Sequence, residues 1–168
     1  MKNHFELFGL TPAYALETES LERSYREIQS QIHPDRYAHA GDAERRASMQ
    51  WTTRVNEAYR TLKSPVQRAK YLLEMNGVDV QFETNTQMPS AFLLQQLELR
   101  EALEGAKQPE ALDELLAEVR RQQRQLEQGI AHLIDGSKDY VAAAGEVRKL
   151  MFLDKLAAEI DLAYDGVE

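Results

Sequence analysis

Three observations make this an all-α protein built from two small helical domains. Apolar residues recur three and four apart through most of the 168 residues, and no strand-rich stretch interrupts them. The segments marked in this way are punctuated by Gly, Pro and Asn. Charge is unevenly divided: residues 1–76 carry 11 Lys/Arg against 10 Asp/Glu, and residues 77–168 carry 9 against 18, so almost all of the net −8 belongs to the second half.

The first helix is expected over about residues 3–9, where Phe5 and Phe8 lie three apart before Gly9 and Pro12 stop it. In the second, Thr18 is the expected N-cap, Glu19 and Glu22 sit near the positive end of the helix dipole, and Leu21, Tyr25, Ile28 and Ile32 form one stripe. The third starts after Gly41-Asp42 and keeps Ala47, Trp51, Val55, Tyr59 and Leu62 at helical spacing until Ser64-Pro65. A fourth, over about 66–75, ends near Asn76-Gly77. Residues 76–88, NGVDVQFETNTQM, lose the periodicity and read as a linker between a domain over 1–75 and another over 89–168.

Beyond the linker, helices are expected over about 89–104, 109–134 and 138–164, separated at Gly105 to Pro109 and at Asp135-Gly136. In the middle one, Leu112, Leu116, Val119, Gln123, Leu126, Ile130 and Leu133 follow one another four and three apart, with Gln123 the single polar interruption. Short loops favour antiparallel neighbours, which predicts a three-helix bundle.

The composition also narrows the function. With no cysteine there is no disulfide, thiol nucleophile or cysteine-ligated metal. No apolar run is long enough for a membrane span, and the first residues match neither a secretory nor a transit signal, so the cytoplasm is the expected compartment. An acidic second half does not suit a nucleic-acid backbone, and two halves of different charge are expected to meet different partners.

The tripeptide His33-Pro34-Asp35 breaks off the second helix. Proline lacks an amide hydrogen and pushes the preceding residue toward extended angles, so the helix should end near Ile32 and leave His33 and Asp35 on a loop. An ordinary turn is one reading. A His/Asp acid-base pair is another, but no nucleophile or second carboxylate accompanies it. A metal site from His33, Asp35 and His39 is a third, though the spacing matches no common ligand pattern.

The context adds a fourth. The helix bearing Arg23 and Arg26, the tripeptide at its end, then Ala58, Tyr59, Leu62, Pro65, Arg68, Ala69 and Tyr71 within VNEAYRTLKSPVQRAKYLL (55–73) together resemble a J-domain. The resemblance implies recruitment of a DnaK-type ATPase chaperone and stimulation of its hydrolysis. Contacts would come from His33, Pro34, Asp35 and Arg36, while Arg23 and Arg26, three apart on one helix face, are placed to steer an acidic surface of the partner, with an ordinary solvated face shared with Glu19, Glu22 and Glu27 as the alternative. Two positions depart from the wider pattern: Arg36 stands where lysine is common, and Thr52 where many J-domains carry a core phenylalanine, so that part of the core should be filled differently.

FELFGL (5–10), AFLLQQLELREALE (91–104) and VRKLMFLDKLAAEI (147–160), placed around and after this domain, extend the resemblance to the HscB family of iron–sulfur co-chaperones. A helical wheel independently sets Phe92, Leu99 and Leu103 on one face of the fifth helix and Leu93, Leu94 and Leu97 on another, beside Glu98 and Glu101. One stripe cannot bury both sets. On the last helix Leu150, Leu153, Ala157 and Ile160 form the stripe, and Phe152 lies off its centre. The resemblance implies that Leu93, Leu94, Leu97, Glu98, Glu101 and Phe152 bind the scaffold protein IscU and that the chaperone is HscA. A wider bundle core is the plainer alternative for the apolar ones. The expected protein is an adaptor without catalytic residues, cofactor or metal, and a monomer, since its one apolar patch already has an expected partner; a J-domain co-chaperone for a different or general client is the alternative.

Overall fold

The computed structural model describes residues 2–80 and 88–167, which contain seven α-helices: α1 (His4–Leu7), α2 (Thr18–Ile32), α3 (Asp42–Lys63), α4 (Pro65–Met75), α5 (Ser90–Gly105), α6 (Pro109–Ala131) and α7 (Tyr140–Ala163). The all-α expectation holds. Backbone compactness divides the chain into units 1–72 and 73–168, a boundary inside α4 and earlier than the 76–88 segment. The turn after α4 explains the position. Gly77 takes a positive φ of 78°, Val78 N–H closes on the Leu73 carbonyl at 2.8 Å, and Leu73 and Val80 are buried. Arg148 then donates to the Val80 carbonyl at 2.9 Å, tying this segment to α7. Residues 81–87 of the expected linker lie outside the described residues.

In the first unit α1 is capped by Asn3, which accepts from the Glu6 N–H at 2.9 Å, and stops at Gly9 with φ 67°. Phe5, Phe8, Tyr14, Leu21, Val55, Ala58, Leu62, Val66 and Ala69 form its core. α2 and α3 are the hairpin, joined across their length by stacked Tyr25 and Tyr59 rings 3.9 Å apart and by the Tyr25 hydroxyl donating to Asn56 at 2.6 Å. Arg68 anchors α4: its guanidinium donates to the carbonyls of Tyr14 at 2.8 Å and Leu62 at 2.7 Å.

Two details of this first unit differ from the sequence expectation. Thr18 is the first helical residue of α2, and Glu17 takes the cap position. On α3, Ala47 is exposed and Trp51 is 44% exposed, with the Arg54 guanidinium 5.5 Å from its ring centre, whereas Ser48, Val55, Ala58 and Leu62 are buried.

In the second unit α5, α6 and α7 form the expected bundle around Phe92, Leu99, Leu112, Leu115, Val119, Leu153, Leu156, Ala157 and Ile160. α6 and α7 are antiparallel, since Gln123 bonds Asp154 while Tyr164, further along α7, bonds Asp113, further back on α6. α5 runs parallel to α7: Phe92 lies under Lys149 Nζ at 5.8 Å, and further along both helices Arg100 pairs with Glu159 at 2.6 Å. The polar interruption in the α6 stripe is satisfied. Gln123 donates to Asp154 Oδ1 at 2.7 Å and accepts from Arg120 at 3.0 Å.

The α6 to α7 connection is not broken where Asp135-Gly136 predicts. α6 continues into a π turn, His132–Gly136, and the left-handed residue that ends it is Lys138, φ 58°. The Asp139 N–H then closes on the Leu133 carbonyl at 2.8 Å, one residue wider than a Schellman turn, with lysine in the left-handed position that glycine usually takes at a helix end.

Candidate functional site

Two surfaces carry the residues singled out from the sequence, one in each unit. The first is built on the C-terminal end of α2, where the last carbonyls of a helix have no partner within it. Here three are supplied by side chains. Arg36 donates to the Ser30 carbonyl at 3.1 Å, the Tyr37 hydroxyl to Gln31 at 3.5 Å, and Ser48 and Thr52 of α3 to Ile32 at 2.7 and 3.3 Å. Thr52, the departure from the J-domain pattern, therefore serves as a cap that seats the end of α2 on α3. Sequence reasoning missed Ser48 and Tyr37. The available signal was a serine and a threonine four apart ahead of Val55, a spacing that puts both hydroxyls on the side of α3 facing α2.

On this base His33 leaves the helix with extended angles, φ −55° and ψ 134°, as the following proline requires, and a short 3₁₀ turn, Pro34–Tyr37, follows. His33 Nδ1 accepts the Asp35 N–H at 3.2 Å, which places the proton of a neutral ring on Nε2 and leaves that N–H as a donor for a partner. The Asp35 carboxylate is 3.5 Å from Nδ1 and 93% exposed. The loop thus displays a donor and an anion side by side. Arg23 and Arg26 are exposed on the side of α2 opposite Leu21, with Arg23 donating to Ser20 at 3.3 Å. Glu22 turns away from them to Tyr59 at 3.2 Å and Lys63 at 3.5 Å on α3. Arg36, by contrast, is bent back onto α2. Among the described residues no group of three or more His, Asp or Glu side chains converges as metal ligands, so His33, Asp35 and His39 do not form one.

The second surface is on α5. Phe92 and Leu99 are buried and Leu103 is half-buried against them, as the wheel predicts. Leu93, Leu94 and Leu97 are 49%, 57% and 54% exposed, and Glu98 and Glu101 beside them are exposed. Three half-exposed leucines on neighbouring turns form a patch of the kind that marks a docking site. Phe152 is half-buried against the bundle core. It precedes Glu159 by about two turns, as Leu93 precedes Arg100, and the two helices run parallel, so Phe152 shares the level of the patch along the α5/α7 seam. One feature the wheel did not separate is Gln96, buried between Phe92 and Leu99.

Comparison with known proteins agrees with this division. Residues 3–71 match the DnaJ domain family and residues 88–161 the HSCB C-terminal oligomerisation domain family. A co-chaperone protein HscB homolog from Ralstonia nicotianae is 51% identical over 98% of this chain and 96% of its own, and one from Burkholderia vietnamiensis is 48% identical over 99% and 96%. Among solved structures, chaperone HscB from Vibrio cholerae superposes with a TM-score of 0.87 at 34% identity over 99% of this chain and all of its own. Human co-chaperone protein HscB gives 0.93 at 25% identity, over 98% and 83%. With matches that span the whole chain and both of its domains, this protein belongs to the HscB family of J-domain co-chaperones, a family without enzymatic activity of its own.

Proposed function

We propose that this chain serves iron–sulfur cluster assembly by holding two proteins at once: a DnaK-type chaperone of the HscA kind at the His33-Pro34-Asp35 loop, and the scaffold protein IscU on the leucine face of α5. The carrying observation is that α5 leaves Leu93, Leu94 and Leu97 half-exposed although its opposite face is in the core. Burying such side chains favours association by about 1 kcal/mol each when half of the side chain remains to be covered. Glu98 and Glu101 rim the patch and select a partner with basic groups at its edge. Phe152 supplies aromatic area from α7.

At the other surface Asp35 offers a charge-assisted bond to an arginine of the chaperone, His33 an N–H donor and Pro34 a fixed backbone. Arg23 and Arg26 steer an acidic partner surface, and Arg36 holds the loop. Chemistry takes place in the ATPase. The adaptor acts through proximity, because linking two binding sites in one chain raises the effective concentration of one ligand near the other. The protein works in the cytoplasm as a monomer; no described helix is long and apolar enough to cross a membrane.

Calorimetric titration of purified scaffold tests the reading. The wild type should release or take up heat on saturable binding, and Leu93→Ala/Leu97→Ala should bind at least about tenfold more weakly with an unchanged circular dichroism spectrum. No heat with the wild type would remove the scaffold as partner.

A further inference from the structure

Two glutamines are buried in the bundle, and they differ. Gln123 has a partner at each end of its carboxamide. Gln96, only 7% exposed, has none for either Oε1 or Nε2 among the described residues. A buried polar group without a partner is costly and uncommon, and one that persists calls for a reason. Its position supplies one. On α5, Gln96 lies about 40° round the helix from Phe92 and about 60° from Leu93, between the core stripe and the exposed leucines. It shares this flank with Arg100, which pairs with Glu159, so the amide is at the α5/α7 seam, at the inner edge of the patch.

α5 is also less deeply buried than α7. Three of its 16 residues are buried, against eight of 24 in α7. Between its first turns and the two long helices a cleft of about 380 Å³ opens, lined by Phe92, Gln95, Gln122, Gln125 and Lys149 among others. Gln96 does not line that space, which leaves room beside the first turns of α5 for the helix to shift when something presses on the leucines.

We propose that Gln96 is a specificity-determining contact of the α5 face, its carboxamide exchanging two hydrogen bonds with a peptide unit or a carboxamide of the protein that docks over Leu93 and Leu97. A carboxamide with both ends unused matches such a group in both donor and acceptor. The leucines supply non-directional burial, whereas an amide that remains unpaired with the wrong partner rejects it. The inference rests on the scaffold reading of the leucine face and deepens it.

The experiment uses the full chain, purified scaffold protein and three variants: Gln96→Met, which keeps length and volume, Gln96→Asn, and Leu97→Ala. For Gln96→Met the expected result is a midpoint of thermal unfolding equal to or above the wild type, because an unpaired buried amide has been removed. Its affinity for scaffold is expected to fall about fivefold to tenfold. Gln96→Asn should recover part of that loss. A lower unfolding midpoint for Gln96→Met would overturn the inference, since the amide would then already be satisfied in the free protein; so would unchanged affinity. Leu97→Ala separates the two levels of the argument. Weakened binding by Leu97→Ala with unchanged binding by Gln96→Met sinks the Gln96 contact alone, and unchanged binding by Leu97→Ala sinks the leucine face and the contact together.

Discussion

Asp35 is almost fully exposed, while the backbone on both sides of it is fixed by capping bonds from Arg36, Tyr37, Ser48 and Thr52. A loop held in this way presents its polar groups with little ordering left to be lost on binding. His33→Gln should therefore abolish most of the stimulation of the chaperone ATPase and leave the circular dichroism spectrum unchanged; persistent stimulation would contradict the loop's role. A second residue-scale prediction concerns Asp154. Burial pushes its carboxyl above the usual range, against the opposing pull of the Gln123 amide and the Arg120 charge. A raised carboxyl means that the folded protein holds the proton more tightly than the unfolded chain, so this group's contribution falls as pH rises through and above the ordinary aspartate range. Asp154→Asn keeps an acceptor for Gln123 and has no charge. Its unfolding midpoint should match the wild type at about pH 3 and exceed it as pH rises through and above the ordinary aspartate range, the difference levelling off once the folded carboxyl is ionised. A pH-independent difference would contradict this. The tripeptide itself was legible in the sequence, but its supports were not, because a hydroxyl four residues from another is equally at home on a solvated helix face.

The helices were legible where periodicity is decisive, and misread where it depends on what lies opposite. Val55 and Leu62 are buried as their spacing predicts, but Trp51 on the same stripe is not, because a wheel gives a direction and says nothing of how far the neighbouring helices extend. The opposite holds for α5, where two apolar faces required one to remain open, and Leu93, Leu94 and Leu97 are half-exposed. The wheel does not single out Gln96, because an angle between Phe92 and Leu93 is as compatible with a solvated edge as with burial. The turn after α6 was misassigned to Gly136, the stronger breaker by composition, whereas Lys138 carries the positive φ. A side chain with a Cβ in that region costs about 1 kcal/mol or more. Lys138→Gly should therefore raise stability by about 1 kcal/mol in thermal or denaturant unfolding of the full chain. A loss of stability would mean that the left-handed turn is not what closes α6 onto α7.

For the whole molecule, the division into a near-neutral first half and an acidic second half was visible in the charge count, and each half supplies one surface. Their identification needed the spacing of motifs around the tripeptide and across 91–104 and 147–160, because charge alone names no partner. The central claim is that the two surfaces act through the chain that joins them. Chaperone ATPase measured with scaffold present, at adaptor concentrations well below either separate dissociation constant, tests it with an equimolar mixture of His33→Gln, which retains the leucine face, and Leu93→Ala/Leu97→Ala, which retains the loop. The account predicts that the mixture fails to reproduce the stimulation that wild type and scaffold give together; a mixture as active as the wild type would show that the two contacts need not belong to one chain.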